Sequence, residues 1–112
     1  MFIRKAIPAT FLAICMLGAT ACHAAEPEFK LIIKERRFEP AEIKVPANQR
    51  VKLNVHNQDK TPEEFESHAL HREKLIPGGG KAAITIGPLK PGRYEFFGEF
   101  NPATARGVVV AE

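Results

Sequence analysis

PGRYEFFGEFNP, Pro91 to Pro102, is the stretch on which the reading of the chain turns. A turn built from Pro88, Leu89, Lys90, Pro91 and Gly92 leads into it. Arg93 to Phe97 then reads as a short strand dense in aromatic residues, the type that packs well on a pleated, half-buried surface. Phe96 to Gly107 follows as a polar loop, and Gly107 to Ala111 as a last strand. A turn, a strand, a loop and a strand within 25 residues point to an all-β fold.

Working back from that point, the same punctuation recurs. Glu28 to Lys34 places Phe29, Leu31 and Ile33 on one face and Lys30 and Lys34 on the other, the two-residue period of a half-buried strand. Arg36, Arg37 and Phe38 lead to Pro40, which ends pairing. Glu42 to Val45 alternates and stops at Pro46. Arg50 to His56 alternates most cleanly, with Val51, Leu53 and Val55 inward. Glu64 to Leu70 reads as a fourth strand with an awkward pattern: Phe65 and Leu70 cannot both point inward along one regular strand, and a bulge is one device that would reconcile them. Gly78, Gly79 and Gly80 form a turn, and Ala82 to Ile86 is a fifth strand. The sum is an antiparallel β-sandwich of about seven strands.

The first 24 residues stand apart. Arg4 and Lys5 precede an uncharged apolar run, and Cys22-His23-Ala24 offers a small-residue processing site. This predicts a signal peptide cleaved after Ala24 and a domain from Ala25 to Glu112, exported to the periplasm with no membrane insertion after cleavage. The alternative is lipidation at Cys22, which calls for a large aliphatic residue three positions earlier, where Ala19 stands. Both cysteines, Cys15 and Cys22, lie in the leader, so the remaining domain has neither disulfide nor thiolate. Loss of Arg4 and Lys5 takes the net charge from +3 to +1, which gives no support for nucleic-acid binding. No nucleophile and base are arranged for hydrolysis; Ser67 beside His68 is adjacency in sequence, whereas triads are built in space.

The order of these landmarks resembles the cupredoxin family. FEPAEIKVPANQRVKLNVHNQD (Phe38 to Asp59) is similar to the family's opening strand pair, and IPGGGKAAITIGPLKPGRYEFF (Ile76 to Phe97) to its later P-G, strand, P-G-x-Y-x-F passage. The resemblance implies a Greek-key sandwich. In copper-binding members the last passage continues as x-C-x-x-H with a methionine beyond. Here Gly98 stands at the cysteine position and Asn101 at the histidine position, the only methionines are Met1 and Met16, and the first histidine position falls at about Glu66. A blue-copper centre needs a thiolate and two imidazoles, so that electron-transfer role is excluded.

The motifs EFES (Glu64 to Ser67), REK (Arg72 to Lys74) and FGEFNP (Phe97 to Pro102) are similar to cupredoxin-like proteins of bacterial iron-uptake systems, the FtrB type and the cupredoxin domain of EfeO-type proteins. That resemblance implies a periplasmic role in ferrous iron uptake beside an iron permease and a periplasmic iron-binding protein, with iron or copper bound and a possible ferroxidase-type accessory activity. Carboxylate and imidazole donors suit Fe(II), Fe(III), Cu(II), Mn(II) or Zn(II) rather than Cu(I).

The candidate metal ligands are Glu66, Glu99, Glu73, His71 and His68, gathered where two loops meet at one end of the sandwich. Each has a plain alternative: a solvated carboxylate, a loop-tip acid beside a lysine, a surface histidine. Glu64 and Glu63 are weaker candidates, and His56 reads as a strand-end residue. A competing function is a metal-free β-sandwich adaptor that docks a permease or an iron carrier, with the same acids as interface charges.

Overall fold

The computed structural model describes residues 25–112, so the expected leader lies outside the described residues. Those described form nine strands in two sheets, with no helix among them. The strands are β1 (Glu28–Lys34), β2 (Arg37–Glu39), β3 (Glu42–Val45), β4 (Val51–Asn57), β5 (Glu63–Ser67), β6 (Arg72–Ile76), β7 (Lys81–Ile86), β8 (Gly92–Gly98) and β9 (Arg106–Ala111). One sheet has the order β2-β1-β4-β7 and the other β3-β9-β8-β5-β6.

The sheets are mixed rather than antiparallel throughout. β1 runs parallel to β4, with Leu31 opposite Val55, and β3 runs parallel to β9, with Ile43 opposite Val109. Each parallel partner is buried on its inner face, and side-chain periodicity is blind to the direction in which a neighbouring strand runs. Two strands beyond the expected seven were also too short or too polar to announce themselves. β2 has three residues, of which only Phe38 is buried. β6 is an edge strand with four exposed residues before Ile76.

β6 also resolves the awkward fourth strand. β5 stops at Ser67, and the chain reverses through His68 to His71 into β6, so Phe65 and Leu70 both reach the core without a bulge. The reversal is fixed by Ser67, whose hydroxyl donates to the carbonyl of Glu95 at 2.6 Å and accepts from the amide of Leu70 at 3.1 Å. His71 takes the left-handed conformation, with φ of +53°, to close it.

The core lies between the sheets. Phe38, Phe65 and Phe96 meet at its centre, Phe96 with its ring centroid 5.0 Å from each of the other two. Phe96 is directly opposite Gly107 on β9, and its ring fills the space a side chain at Gly107 would take. Tyr94, two residues earlier on the same face, donates its hydroxyl to the carbonyl of Lys90 at 2.7 Å and ties the preceding turn down. The P-G-x-Y-x-F passage is therefore a packing device: a turn, a tyrosine that fastens it, and a phenylalanine that anchors β8 in the core.

Candidate metal site

β5 has two faces of opposite character. Glu63, Phe65 and Ser67 point inward and are buried; Glu64 and Glu66 point outward and are half-buried. On the outer face Glu66 is the register partner of Glu73 on β6. On the other side of β5, Phe65 faces Gly98, and the amide of Glu99 donates to the carbonyl of Glu64 at 2.9 Å, which extends the ladder by one step. Three adjacent strands thus bring Glu64, Glu66, Glu73 and Glu99 to one patch of the outer face. Each offers a carboxylate oxygen, and these oxygens all lie within 4.8 Å of one another.

Like charges at such distances disfavour full ionisation. The Glu64 carboxyl is pushed up to about 7, first by a hydrogen bond shared with Glu73, then by desolvation and by the charges of Glu99 and Glu73. Glu66 is also raised, mainly by a hydrogen bond with Glu99 and by desolvation, against a small opposing pull from His68. Among the described residues no ion pair joins a lysine or arginine to the quartet; its single basic neighbour at ion-pair range is the imidazole of His68, with Nε2 at 3.8 Å from Glu66 Oε1.

Of the residues expected from sequence, Glu66, Glu73 and Glu99 come together, and Glu64, ranked lower, joins them. The signal for Glu64 was present: it lies two residues from Glu66 and so shares its strand face. His68 and His71 are outside the quartet. They line a shallow cavity of about 400 Å³ with Glu66, Arg72 and Glu73, in the turn between β5 and β6. His56 is on β4, in the other sheet. The meeting place is also not a pair of loop tips. Glu64, Glu66 and Glu73 sit on regular strands, and Glu99 alone is in a turn.

The inner face of the same strand meets the positions at which the family resemblance places a thiolate and an imidazole, Gly98 and Asn101. The side chain that meets Asn101 and fills the space beside Gly98 is that of Glu63, not Glu66. Asn101 Nδ2 donates to Glu63 Oε2 at 2.8 Å, and a Cβ on Gly98 would come within 2.5 Å of Glu63 Cδ. Glu63 Oε1 accepts from the amides of Glu64 and Phe100, each at 2.9 Å. A cysteine does not fit at Gly98 beside that carboxylate, so a copper–thiolate centre has neither its ligands nor its space here.

Residues 7–111 match the cupredoxin-like domain. The chain belongs to that family. An uncharacterized protein of Rickettsia prowazekii (strain Madrid E) is 46% identical to this cupredoxin-like chain over 83 residues, 74% of this chain and 66% of the relative. Among solved structures, auracyanin A, a blue copper protein of Chloroflexus aurantiacus, superposes with a TM-score of 0.66 at 14% identity, over 76% of this chain and 98% of that one. The metal-binding domain of the Cu(I)-exporting P-type ATPase CopA of Streptococcus pneumoniae D39 gives a TM-score of 0.67 at 16% identity, over 76% of this chain and 84% of that one. At these identities the likeness is one of fold, shared with copper-binding proteins. No helix among the described residues is long and apolar enough to cross a membrane.

Proposed function

We propose that this cupredoxin-like protein is an exported carrier of a hard or borderline metal ion, serving ferrous iron uptake of the FtrB or EfeO type. In this reading it holds iron in the quartet Glu64, Glu66, Glu73 and Glu99 and passes it toward a membrane iron permease. The observation that carries the reading is the quartet itself: four carboxylates with an oxygen each within 4.8 Å of one another, and no lysine or arginine among the described residues paired to them. A cation of charge two or three relieves that repulsion, and oxygen donors select Fe(II), Fe(III) or Mn(II) over soft Cu(I). An all-carboxylate set favours the higher charge, so bound iron is stabilised as Fe(III) relative to Fe(II). His68, beside Glu66, supplies an imidazole that Cu(II) or Zn(II) would recruit.

A second reading is favoured by a separate observation. Leu75 and Phe100, 54% and 50% exposed, are the exposed large apolar side chains among the described residues, and both border the quartet. Leu75 is the register partner of Glu64, and Phe100 follows Glu99. Such a rim suits a docking partner, whether or not a metal is held between the two proteins.

Anaerobic calorimetry with Fe(II), and in parallel with Mn(II), Cu(II) and Zn(II), tests the metal reading. One ion per chain is expected, at micromolar affinity or tighter, with binding lost in Glu66→Ala and in Glu99→Ala. If none of the four ions binds, the carrier reading fails and the docking reading stands alone.

A further inference from the structure

We propose that Glu63 is a positioning residue for the outer quartet: its buried carboxylate clamps the turn after β8 and so holds Glu99 against Glu64 and Glu66. This rests on the reading of the quartet as a metal site, and deepens it by saying what builds that site.

Glu63 is 1% exposed, and a buried carboxylate is costly unless donors surround it. Here three donors converge on it, and they come from both sides of the site. The Glu64 amide belongs to β5; the Phe100 amide and Asn101 Nδ2 belong to the turn that carries Glu99. The turn is closed on itself by Gly98 N donating to Ala105 O, Asn101 N to Gly98 O and Ala105 N to Asn101 O, and its Thr104 hydroxyl donates to the carbonyl of Arg36, which ties it to the other sheet rather than to β5. Apart from the ladder bond at Glu99 itself, Glu63 is what binds its far end to β5. The Phe100 amide is held inward by Glu63 while the carboxylate of Glu99, its neighbour, lies on the outer face with the quartet.

Gly98 completes the device. The carboxylate lies where a side chain at that position would be, with Ala105 Cβ closing the other side at 2.7 Å. The positions at which the family resemblance places a thiolate and an imidazole, Gly98 and Asn101, therefore serve as a void and a donor for one carboxylate. The inner site is given over to holding the outer one.

Three variants test this, none of which alters a quartet carboxylate. In metal-free Glu63→Ala, the Phe100 amide should lose about tenfold in hydrogen-exchange protection relative to Val109 in the core, and NMR should show the Glu66–Glu99 side-chain contact present in the parent and lost in the variant. Fe(II) and Mn(II) binding should weaken about tenfold or more. Glu63→Gln keeps an acceptor for the two amides, and a half-turn of the Asn101 amide presents its oxygen to the new NH2 group; affinity should return to within about threefold of the parent. Asn101→Ala, which leaves Glu63 and the core in place, should show the same loosening at about threefold. Unchanged protection of Phe100 and unchanged affinity in Glu63→Ala overturn the proposal. If that variant does not fold, the same null result in Asn101→Ala overturns it. A parent protein that binds no ion would defeat the metal reading alone, because the exchange measurement on metal-free protein still decides the role of Glu63.

Discussion

Glu63 and Glu64 are consecutive residues of one strand, and they meet opposite fates. The strand period turns Glu63 inward, where every nearby polar group is a donor: two amides and a carboxamide. It turns Glu64 outward, where the near groups are the acceptor oxygens of Glu66, Glu73 and Glu99. The buried carboxylate is the satisfied one, and the half-exposed one is frustrated. Burial alone does not decide the cost of a charge; the sign and direction of its partners do. The frustrated site is consequently the one with something to gain from a cation, and the satisfied site is structural.

The inner region should respond to substitution most strongly. Gly98→Ala puts a methyl group into the Glu63 carboxylate and Ala105, and must push one of them aside or break the bonds to Phe100 and Asn101. A loss of about 2–3 kcal/mol is expected, read from urea unfolding. A variant as stable as the parent would show that the pocket is loose, and the contrast with the outer face would lose its basis.

Much of this contrast can be read from the chain alone. The alternation in β1, β4 and β7 is clear because each of these strands has one wet face. The aromatic anchors Phe38, Phe65 and Phe96 also stand out. The quartet was partly visible, as Glu66, Glu73 and Glu99. What the sequence hides is pairing. Nothing local tells Glu66 that it lies opposite Glu73, because that follows from the reversal at His68 to His71, which has no glycine or proline to mark it. The inward role of Glu63 was hidden for the same reason: three residues apart on a strand, Glu63 and Glu66 face opposite ways, and only the folded packing shows that Glu63 meets Asn101 and the space beside Gly98.

A smaller effect should separate the two regions by pH. The folded Glu64 carboxyl, at about 7, and the raised Glu66 carboxyl both exceed the ordinary value of 4.5. Between about 4.5 and 7 the folded metal-free protein binds more protons than the unfolded chain, so the slope of unfolding free energy against pH is negative there. The contribution is fully present below 4.5 and is lost as pH rises through 7. The urea midpoint of metal-free protein should therefore drift downward from pH 5 to pH 8 on account of the quartet, and saturating metal should remove the drift. Glu73→Gln removes one charge and offers Glu64 a donor, so its drift should be shallower and Glu64 should titrate nearer the ordinary carboxylate range. An identical drift in parent and variant would mean that the four carboxylates do not sense one another in solution.

The smallest effect serves as the control on the same outer face. Arg93 on β8 reaches Glu42 on β3, with Nη1 at 3.3 Å from Oε1, across β9 and in full contact with water. This carboxylate has what Glu64 lacks, a cation of its own, but it has it in a high-dielectric setting, where attraction and the cost of ordering two side chains nearly cancel. Arg93→Ala should change stability by less than about 1 kcal/mol and leave metal affinity unaltered, as read from urea unfolding and calorimetry. If removing this distant cation strengthened metal binding appreciably, the quartet would be responding to the net charge of the whole face rather than to its own geometry. An effect confined to the quartet and to the Glu63 clamp beneath it instead locates metal binding in the register that sets Glu73 beside Glu66 and Glu99 beside Glu64.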